Sequence, residues 1–585
     1  MGAVSRSPLG SDGPGAPARR ARRRARARVR VTLASALALA AGAACLHPAG
    51  REAPVVAVTG GRIRGALEDG AAVFRGVPFA APPVGPLRWR PPAPVLAWQG
   101  VRDATGYGPI CPQISDLGGN IDRILSAHGY GALRRLLVRS FAGLRGEPRQ
   151  DEDCLTLNIR TRNLGSAVRQ PVMVWIHGGA HRNGSGSMSI YNGDALVSRG
   201  IVLVTVNYRL GVLGFLAHPA LSAESPQASS GNYGTLDHVA ALEWVQGNIA
   251  SFGGDPGQVT IFGESAGGHS VGQLLASPQA RGLFQRAIAQ SGAGSHQLLR
   301  LRRPAPGLPA AEAAGLALAE RLGAAAAPDP AAALRAIGVA QLLEAADAIP
   351  EVGRALQPVV DGWVFPRPVA EIFAGGDQAA VPLLVGSNAD EGNTFPPRSP
   401  DPERPGPIGS LEAWRAAVQA AYAEDAPRVL ELYPAASEAD LPSAQRALFG
   451  DSYFGVNARY LAAQMQRVGR PAFLYLFDRV PPGGASAAGA YHGAEISFVF
   501  GESLSILPSN DYDAELSRSM GDYWVQFAKT GDPNLPGRPD WPAYDPREPR
   551  WLELGARIRA APVSRAEAYD IFDRQRARSL AALSR

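Results

Sequence analysis

From Val55 onward, short apolar runs alternate with longer stretches of helical periodicity. The short runs have the length and composition of buried parallel strands, and they lie at residues 155–159, 172–176, 201–206, 259–262, 382–385 and 473–477. The longer stretches lie at residues 237–249, 310–322, 330–348, 411–421 and 517–529. Strands that alternate with helices predict an α/β fold, in which a mostly parallel central sheet carries helices on both faces.

The amino-terminal part of the pattern predicts different structure. Residues 55–58 and 62–65 flank a Gly-Gly pair, which predicts a small antiparallel hairpin. Residues 74–79 and the proline-rich stretch up to Pro94 are expected to be irregular surface structure. We expect a single domain over residues 54–578.

The composition is that of an ordinary globular enzyme, since 46% of the 585 residues are hydrophobic and 19% are charged. The formal net charge is +6, but residues 1–30 alone hold nine arginines and one aspartate. Without that segment the chain is slightly acidic. Its charge therefore gives no reason to expect a nucleic-acid partner.

Residues 1–44 have the organisation of a secretory leader. The arginine-rich segment precedes an apolar run at residues 31–44 that ends in small residues, as signal peptides do. The run is short for a membrane span. An uncleaved anchor, or a start codon upstream of the true leader, is the alternative, and the arginine pairs permit twin-arginine export. We expect a protein that is secreted, periplasmic or held at the cell surface.

The chain has three cysteines, which export would bring into an oxidising compartment. Cys111 and Cys154 could then pair, with two separate buried thiols as the alternative. Cys45 directly follows the leader and could carry a lipid. However, Gly42 stands where a lipobox has a large aliphatic residue, which argues against the lipid anchor.

A Gly-x-Ser-x-Gly motif follows the predicted strand at residues 259–262. It reads Gly263-Glu-Ser265-Ala-Gly267, and after a strand it is typical of the nucleophile elbow of α/β-hydrolases, a sharp turn that exposes a serine above the sheet. The helix after the turn would direct free N–H groups at the reacting centre. Because so short a motif also arises by chance, the alternative is a turn serine.

The candidate base follows from chain order, because a serine nucleophile in this fold is followed by its acid and then its histidine. Three histidines follow Ser265. His269 lies on the same helix, and His296 comes too soon to leave room for a strand that carries the acid. His492, in a loop of small residues, is therefore the candidate base.

The acid is expected after a strand that lies between the serine and the histidine. Asp390 and Glu391 follow the predicted strand at residues 382–385, and the residues alone do not choose between them. Asp361 is a third candidate, although its Asp-Gly context is more typical of a turn.

The segment Trp175-Ile-His-Gly-Gly-Ala180 follows a strand and is similar to the glycine-rich oxyanion loop of esterases.

Other chemistries find no support in the sequence. Lys529 is the single lysine and no serine stands three residues before it, which argues against a lysine base. No zinc motif, Cys-x-x-Cys or dinucleotide fingerprint is present, so we expect no metal and no cofactor.

Over about residues 54–570 the chain resembles the type-B carboxylesterases, the carboxylesterase/cholinesterase family. The resemblance implies Ser265 as nucleophile, Glu391 as acid and His492 as base. It also implies backbone N–H donors from three residues and one disulfide: Gly179, Ala180 and Ala266, and Cys111 with Cys154. The motifs that carry it are Glu152-Asp-Cys-Leu-Thr-Leu-Asn158, Val174-Trp-Ile-His-Gly-Gly-Ala180, Asn207-Tyr-Arg-Leu-Gly211, Gly263-Glu-Ser-Ala-Gly267, Ala289-Gln-Ser-Gly292, Ala389-Asp-Glu-Gly392 and Phe527-Ala-Lys-Thr-Gly-Asp-Pro-Asn534.

Two departures from the family pattern affect the expected substrate. His181 stands where the family usually has an aromatic residue, which predicts a more polar acyl pocket. The loop between the paired cysteines contains no tryptophan, so a choline substrate held by cation–π contact is not expected. That loop instead carries a basic amphipathic stretch at residues 132–142, which predicts a lid or a lipid-surface contact, with a solvated packed helix as the alternative.

These observations predict a secreted serine hydrolase that cleaves small-molecule carboxylic esters through an acyl-enzyme. A lipase that acts at interfaces is one alternative. A non-catalytic, cholinesterase-like adhesion protein is another, since this fold also supports binding functions. Amide and carbamate hydrolysis would use the same residues.

Overall fold

The structure, a computed structural model, describes residues 53–114, 148–304, 308–401, 406–482, 488–502 and 508–583, together with residues 125–126, 130–132 and 135–136. The predicted leader at residues 1–44, Cys45 and most of the stretch at residues 132–142 lie outside the described residues. None of the helices that the structure describes combines the length and the apolarity needed to cross a bilayer.

A mixed sheet of eleven strands organises the described residues from Pro54 onward. Seven neighbouring strands, from Arg550–Leu554 to Val202–Val206, run parallel, and antiparallel strands complete both sides. In spatial order the strands are Ile558–Pro562, Arg550–Leu554, Ala472–Phe477, Leu383–Asn388, Arg286–Gln290, Gly254–Glu264, Gln170–Ile176, Val202–Val206, Thr156–Thr161, Ala71–Pro78 and Ala66–Glu68.

The central strands are buried on both faces. Along Gln170–Ile176, the side chains of Val172, Val174 and Ile176 enter one hydrophobic core, whereas Met173 and Trp175 enter the other. This alternation follows from the two-residue repeat of a strand. It confirms the predicted sheet with apolar residues and helices on both faces, and all six predicted strands are present with small shifts at their ends.

The predicted helices are also present, with one difference. The stretch at residues 330–348 forms two helices because Ile337 and Gly338 have extended backbone. The described α-helices are Asp194–Val197, Gly211–Phe215, Pro219–Ala223, Tyr233–Asn248, Ala266–Ala276, Ala311–Arg321, Pro330–Ala336, Val339–Ala348, Pro350–Ala355, Val369–Gly375, Leu411–Tyr422, Ala426–Leu432, Leu441–Gly450, Val456–Arg467, Ile496–Phe500, Asp511–Thr530 and Ala566–Leu583.

One sequence prediction is wrong. Residues 74–78 are part of the strand Ala71–Pro78, which pairs antiparallel with Thr156–Thr161. The Gly76 and Pro78 signals suggested irregular structure, but Gly76 lies in an irregularity of the pairing between Phe74 and Val77, where a strand tolerates glycine. The side chains of Phe74 and Val77 are fully buried, so core packing decides the structure here.

The amino-terminal hairpin and the disulfide agree with the predictions. Val55–Val58 pairs antiparallel with Gly61–Arg64, and Val101–Asp103 adds a third strand to this small sheet. Cys111 and Cys154 are joined by a disulfide. It closes a loop with a sequence separation of 43 residues at the edge of the large core.

Candidate active site

A strained turn carries Ser265 at the centre of the sheet. The strand Gly254–Glu264 ends directly before it, the helix Ala266–Ala276 begins directly after it, and its backbone has φ 58° and ψ −123°. A Cβ atom on Gly267 would lie 1.9 Å from the carbonyl oxygen of Ile176. The glycine therefore lets the helix approach the neighbouring strand, which accounts for the Gly-x-Ser-x-Gly pattern.

Three side chains from distant parts of the chain meet at this turn. The His492 Nε2 atom lies 2.8 Å from the Ser265 hydroxyl oxygen, and its Nδ1 atom lies 2.5 Å from a carboxylate oxygen of Glu391. The other Glu391 oxygen accepts a hydrogen bond of 2.7 Å from the Asn388 N–H. A serine hydroxyl, an imidazole and a carboxylate thus form one continuous hydrogen-bonded row.

The other carboxylate candidates are engaged elsewhere. Asp390 accepts a hydrogen bond from the Ala490 N–H at 2.8 Å, which ties the loop of His492 to the loop of Glu391. Asp361 accepts two backbone N–H bonds within its own turn. Among the three candidates from the sequence, Glu391 is the one that contacts the imidazole.

The two rejected histidines do not contact the Ser265 hydroxyl. His269 accepts a hydrogen bond of 3.0 Å from the Gly294 N–H, on the helix that follows the serine. The ring of His296 packs against that of His269, with 4.6 Å between their centroids. The order argument from the sequence therefore agrees with the contacts that each histidine makes.

The glycine-rich loop lies against the serine. A Cβ atom on Gly178 would lie 3.1 Å from the Ser265 Cβ, so the loop packs directly on the turn. Gly179 and Ala180 follow with φ values of 111° and 55°. Within the described residues, the N–H groups of Gly179 and Ala180 donate no hydrogen bond. Ala266 is the first residue of its helix, so its N–H group is also free. These three donors could together stabilise an oxyanion.

Two further buried carboxylates lie behind the imidazole, and the sequence reasoning did not find them. A Glu264 carboxylate oxygen is 3.3 Å from the His492 Nε2 atom, and Glu264 has 5% of its surface exposed. Glu495 is fully buried and accepts hydrogen bonds from the side-chain amides of Gln290 and Asn388. Their positions in the sequence were the signal that could have found them, because Glu264 directly precedes Ser265 and Glu495 is three residues after His492.

These carboxylates determine the charge of the base. Burial lowers the pKa of His492, but the carboxylates of Glu264 and Glu391 outweigh burial and raise its pKa above the ordinary value. Burial raises the pKa of Glu264, and the adjacent imidazole only partly offsets this effect. The imidazole and the Glu264 carboxylate therefore compete for a proton, and their titrations are linked.

This arrangement predicts a shifted pH profile. Because only neutral His492 can accept the serine proton, kcat/KM should rise with pH, with a midpoint above the ordinary histidine pKa of about 6.5. Replacing Glu264 with Gln removes a negative charge beside the imidazole, so the midpoint should move to lower pH. The measurement is kcat/KM against pH for the wild type, E264Q and E320Q, the last a matched change on an exposed helix position. An unchanged midpoint in E264Q would contradict this electrostatic role.

His181 connects the glycine-rich loop to the helix after the serine. Its Nε2 atom lies 3.1 Å from the Ser270 hydroxyl oxygen, and Ser270 donates to the Ala266 carbonyl at 2.9 Å. Burial lowers the pKa of His181 to about 3, so the ring is neutral at working pH. The sequence predicted that His181 makes the acyl pocket more polar. In the structure its Nε2 atom bonds to Ser270 on the helix after the serine, so this polar atom is used in a contact within the protein.

We expect His181→Phe to reduce kcat about tenfold with little change in KM, because the bridge aligns two backbone donors that act mainly in the transition state. The comparison is steady-state kinetics of H181F, S270A and the double variant. If the bridge is the cause, the double variant should be no worse than either single one. Additive losses, or a loss confined to KM, would exclude the bridge as the explanation.

Comparisons with known proteins show the family to which the chain belongs. The family model described as "Carboxylesterase family" matches residues 52–572. Fumonisin B1 esterase of Sphingopyxis macrogoltabida is 38% identical over 82% of this chain and 83% of its own, and para-nitrobenzyl esterase of Bacillus subtilis is 35% identical over 86% and 95%. A solved PNB esterase structure superposes with a TM-score of 0.72 at 34% identity, covering 88% of this chain and 99% of that one. The chain has the α/β-hydrolase fold, belongs to the carboxylesterase family and is a carboxylic-ester hydrolase.

Proposed function

We propose that Ser265, His492 and Glu391 are the catalytic triad of a serine esterase. The observation that carries this proposal is the row of two hydrogen bonds, 2.8 Å from imidazole to hydroxyl and 2.5 Å from imidazole to carboxylate. The strained turn, the adjacent N–H donors and the membership in the carboxylesterase family support it. A non-catalytic binding protein would not need these three side chains to be hydrogen-bonded to one another.

In the first half of the reaction, His492 accepts the Ser265 proton while the serine oxygen bonds to the ester carbonyl carbon. The N–H groups of Gly179, Ala180 and Ala266 stabilise the negative oxygen of the tetrahedral intermediate. The bond from carbon to the alcohol oxygen then breaks, and the imidazolium returns its proton to the leaving alcohol. The serine is left acylated.

In the second half, the neutral imidazole takes a proton from water as the water oxygen attacks the acyl carbon. Collapse of the second intermediate breaks the bond to the Ser265 oxygen, and His492 returns the proton to it. Glu391 holds the Nδ1–H tautomer and stabilises the imidazolium in both halves. The products are a carboxylic acid and an alcohol, and the enzyme is regenerated.

The proposal includes export. A leader at residues 1–44 and a catalytic domain at residues 54–578 are consistent with the Cys111–Cys154 disulfide, because disulfides persist in oxidising compartments. The predicted substrate is a small-molecule ester, without a metal or a cofactor. No contact among the described residues favours the lipase alternative. None favours the binding of lipid by residues 132–142.

Covalent labelling tests the triad most directly. A fluorophosphonate should stop ester hydrolysis at one equivalent, and peptide mass spectrometry should locate the phosphonyl group on Ser265. Prior denaturation should abolish the labelling, since reactivity depends on the folded contact with His492. Complete inhibition with the label on a different serine would refute the assignment.

A further inference from the structure

Four aromatic side chains form a connected group that reaches the imidazole of His492 and that we call the aromatic wall: Phe395, Phe449, Tyr453 and Phe454. The ring centroids of Phe395 and Phe454 lie 5.0 Å and 4.7 Å from that of His492. Phe449 lies 5.3 Å from Phe395 and 5.3 Å from Tyr453. Ring contacts therefore continue from the candidate base through Phe395 to Phe449 and Tyr453.

One cation lies on this wall. The Arg398 guanidinium carbon is 4.6 Å from the centroid of Phe449 and 5.6 Å from that of Phe395. Its side chain remains exposed, yet burial lowers its pKa, whereas Tyr453 raises it. An exposed cation is thus held against the aromatic wall by two ring contacts.

Arg398 lacks a partner anion in the described part of the chain, where no carboxylate lies within ion-pair distance and no hydrogen bond is made by its guanidinium. The carboxylates of Glu264, Glu391 and Glu495 are buried and associated with His492 or with side-chain amides. A guanidinium that stacks on aromatic rings keeps its N–H edges available for a planar oxyanion.

The loop that carries Arg398 is held on both sides. The Arg446 Nε–H donates to the Phe395 carbonyl at 3.2 Å, before Arg398. After it, the Ser399 N–H donates to the Gly406 carbonyl at 3.0 Å. Together with the ring stacking, these bonds pre-organise the guanidinium, which lowers the entropic cost of binding an anion.

We propose that Arg398 binds a carboxylate of the substrate, and hence that the enzyme prefers esters that carry a free carboxylate group. The inference rests on the proposed function, since it takes the hydroxyl of Ser265 as the reacting atom. The aromatic wall contacts the apolar chain between the ester and the carboxylate, and Arg398 fixes the distal charge. Arg398 is thus a specificity residue that does not take part in bond breaking.

Matched ester pairs test this preference and also locate the carboxylate. Mono-para-nitrophenyl adipate against para-nitrophenyl hexanoate places the charge on the acid half of the ester. Para-carboxyphenyl hexanoate against phenyl hexanoate places it on the alcohol half. For the half that faces Arg398, the ratio of kcat/KM for the charged to the neutral ester should fall at least about tenfold in R398Q, the effect of losing one charge-assisted hydrogen bond.

Two further variants separate a specific contact from general electrostatics. R398K should keep part of the preference, because an ammonium retains the charge but not the planar fork. R62Q removes the same charge from an exposed position of the amino-terminal sheet and should leave both ratios as in the wild type. Higher salt should weaken the preference of the wild type more than that of R398Q.

The ratios in R398Q and R62Q decide whether Arg398 binds a carboxylate. A fall in one ratio in R398Q, with R62Q like the wild type, supports the proposal and identifies the half of the ester that carries the charge. Ratios that are the same in the wild type and R398Q overturn it, as does an equal fall in R62Q. If Ser265→Ala abolishes hydrolysis of all four esters while R398Q leaves the ratios unchanged, the triad stands and this inference alone fails.

Discussion

Ser265→Ala should lower kcat/KM for a chromogenic short-chain ester by about 10⁵- to 10⁶-fold, the loss seen when a serine nucleophile is removed from a triad. The hydroxyl is the atom that bonds to the acyl carbon, and no neighbouring group can replace it at the end of the row from Glu391 to His492. The surroundings of the substrate are otherwise unchanged in this variant, so KM should change less than kcat.

The fold should survive this change. The Ser265 hydroxyl makes its contact with His492 alone among the described side chains, and alanine has the same backbone restrictions at φ 58° as serine. Circular dichroism and thermal unfolding should therefore match the wild type. Ser198→Ala, at an exposed helix end, is a suitable control and should hydrolyse the ester normally. Rapid turnover by folded S265A would require another nucleophile.

Glu391→Gln should reduce kcat about 10⁴-fold, a loss comparable with that of an uncharged acid in a triad. The Asn388 N–H requires an acceptor, so the glutamine oxygen would take that position and its NH₂ would face the imidazole. His492 would then have to accept at Nδ1 and carry its proton on Nε2. In that tautomer it cannot remove the serine proton.

Asp390→Asn gives the matched comparison. Its side chain would still offer an oxygen to the Ala490 N–H, so we expect a loss of less than about tenfold. Steady-state kinetics of E391Q and D390N on the same ester distinguish the two adjacent carboxylates, which the residues alone could not do. A larger loss in D390N than in E391Q would reverse the assignment of the acid.

The sequence predicted the parts of the site that depend on local pattern and chain order. The strand before Ser265, the glycine-rich loop and the choice of His492 over His269 all follow from motifs with a fixed position in this fold. The family resemblance was needed to choose Glu391 over the adjacent Asp390. The backbone of the loop and the hydrogen bond from the Asn388 N–H direct the Glu391 carboxylate towards His492, and neither can be predicted from two adjacent acidic residues.

Other features depend on tertiary contacts and could not be predicted locally. The positions of Glu264 and Glu495 beside the imidazole are set by packing across separate strands. The strand Ala71–Pro78 has turn-forming residues that its burial overrides. Arg398 on the aromatic wall joins a loop to the helical region around Phe449, and no spacing along the chain signals that contact.

The bonds between the loops of residues 390 and 491 have a mechanical consequence. Asp390 and Ala490 exchange backbone and side-chain hydrogen bonds, and Asn388 also donates to the Tyr491 carbonyl. The loops of the acid and of the base are thus fastened directly to each other. A displacement of one loop would therefore displace the other, so the carboxylate and the imidazole are expected to keep their mutual distance when this edge of the sheet moves.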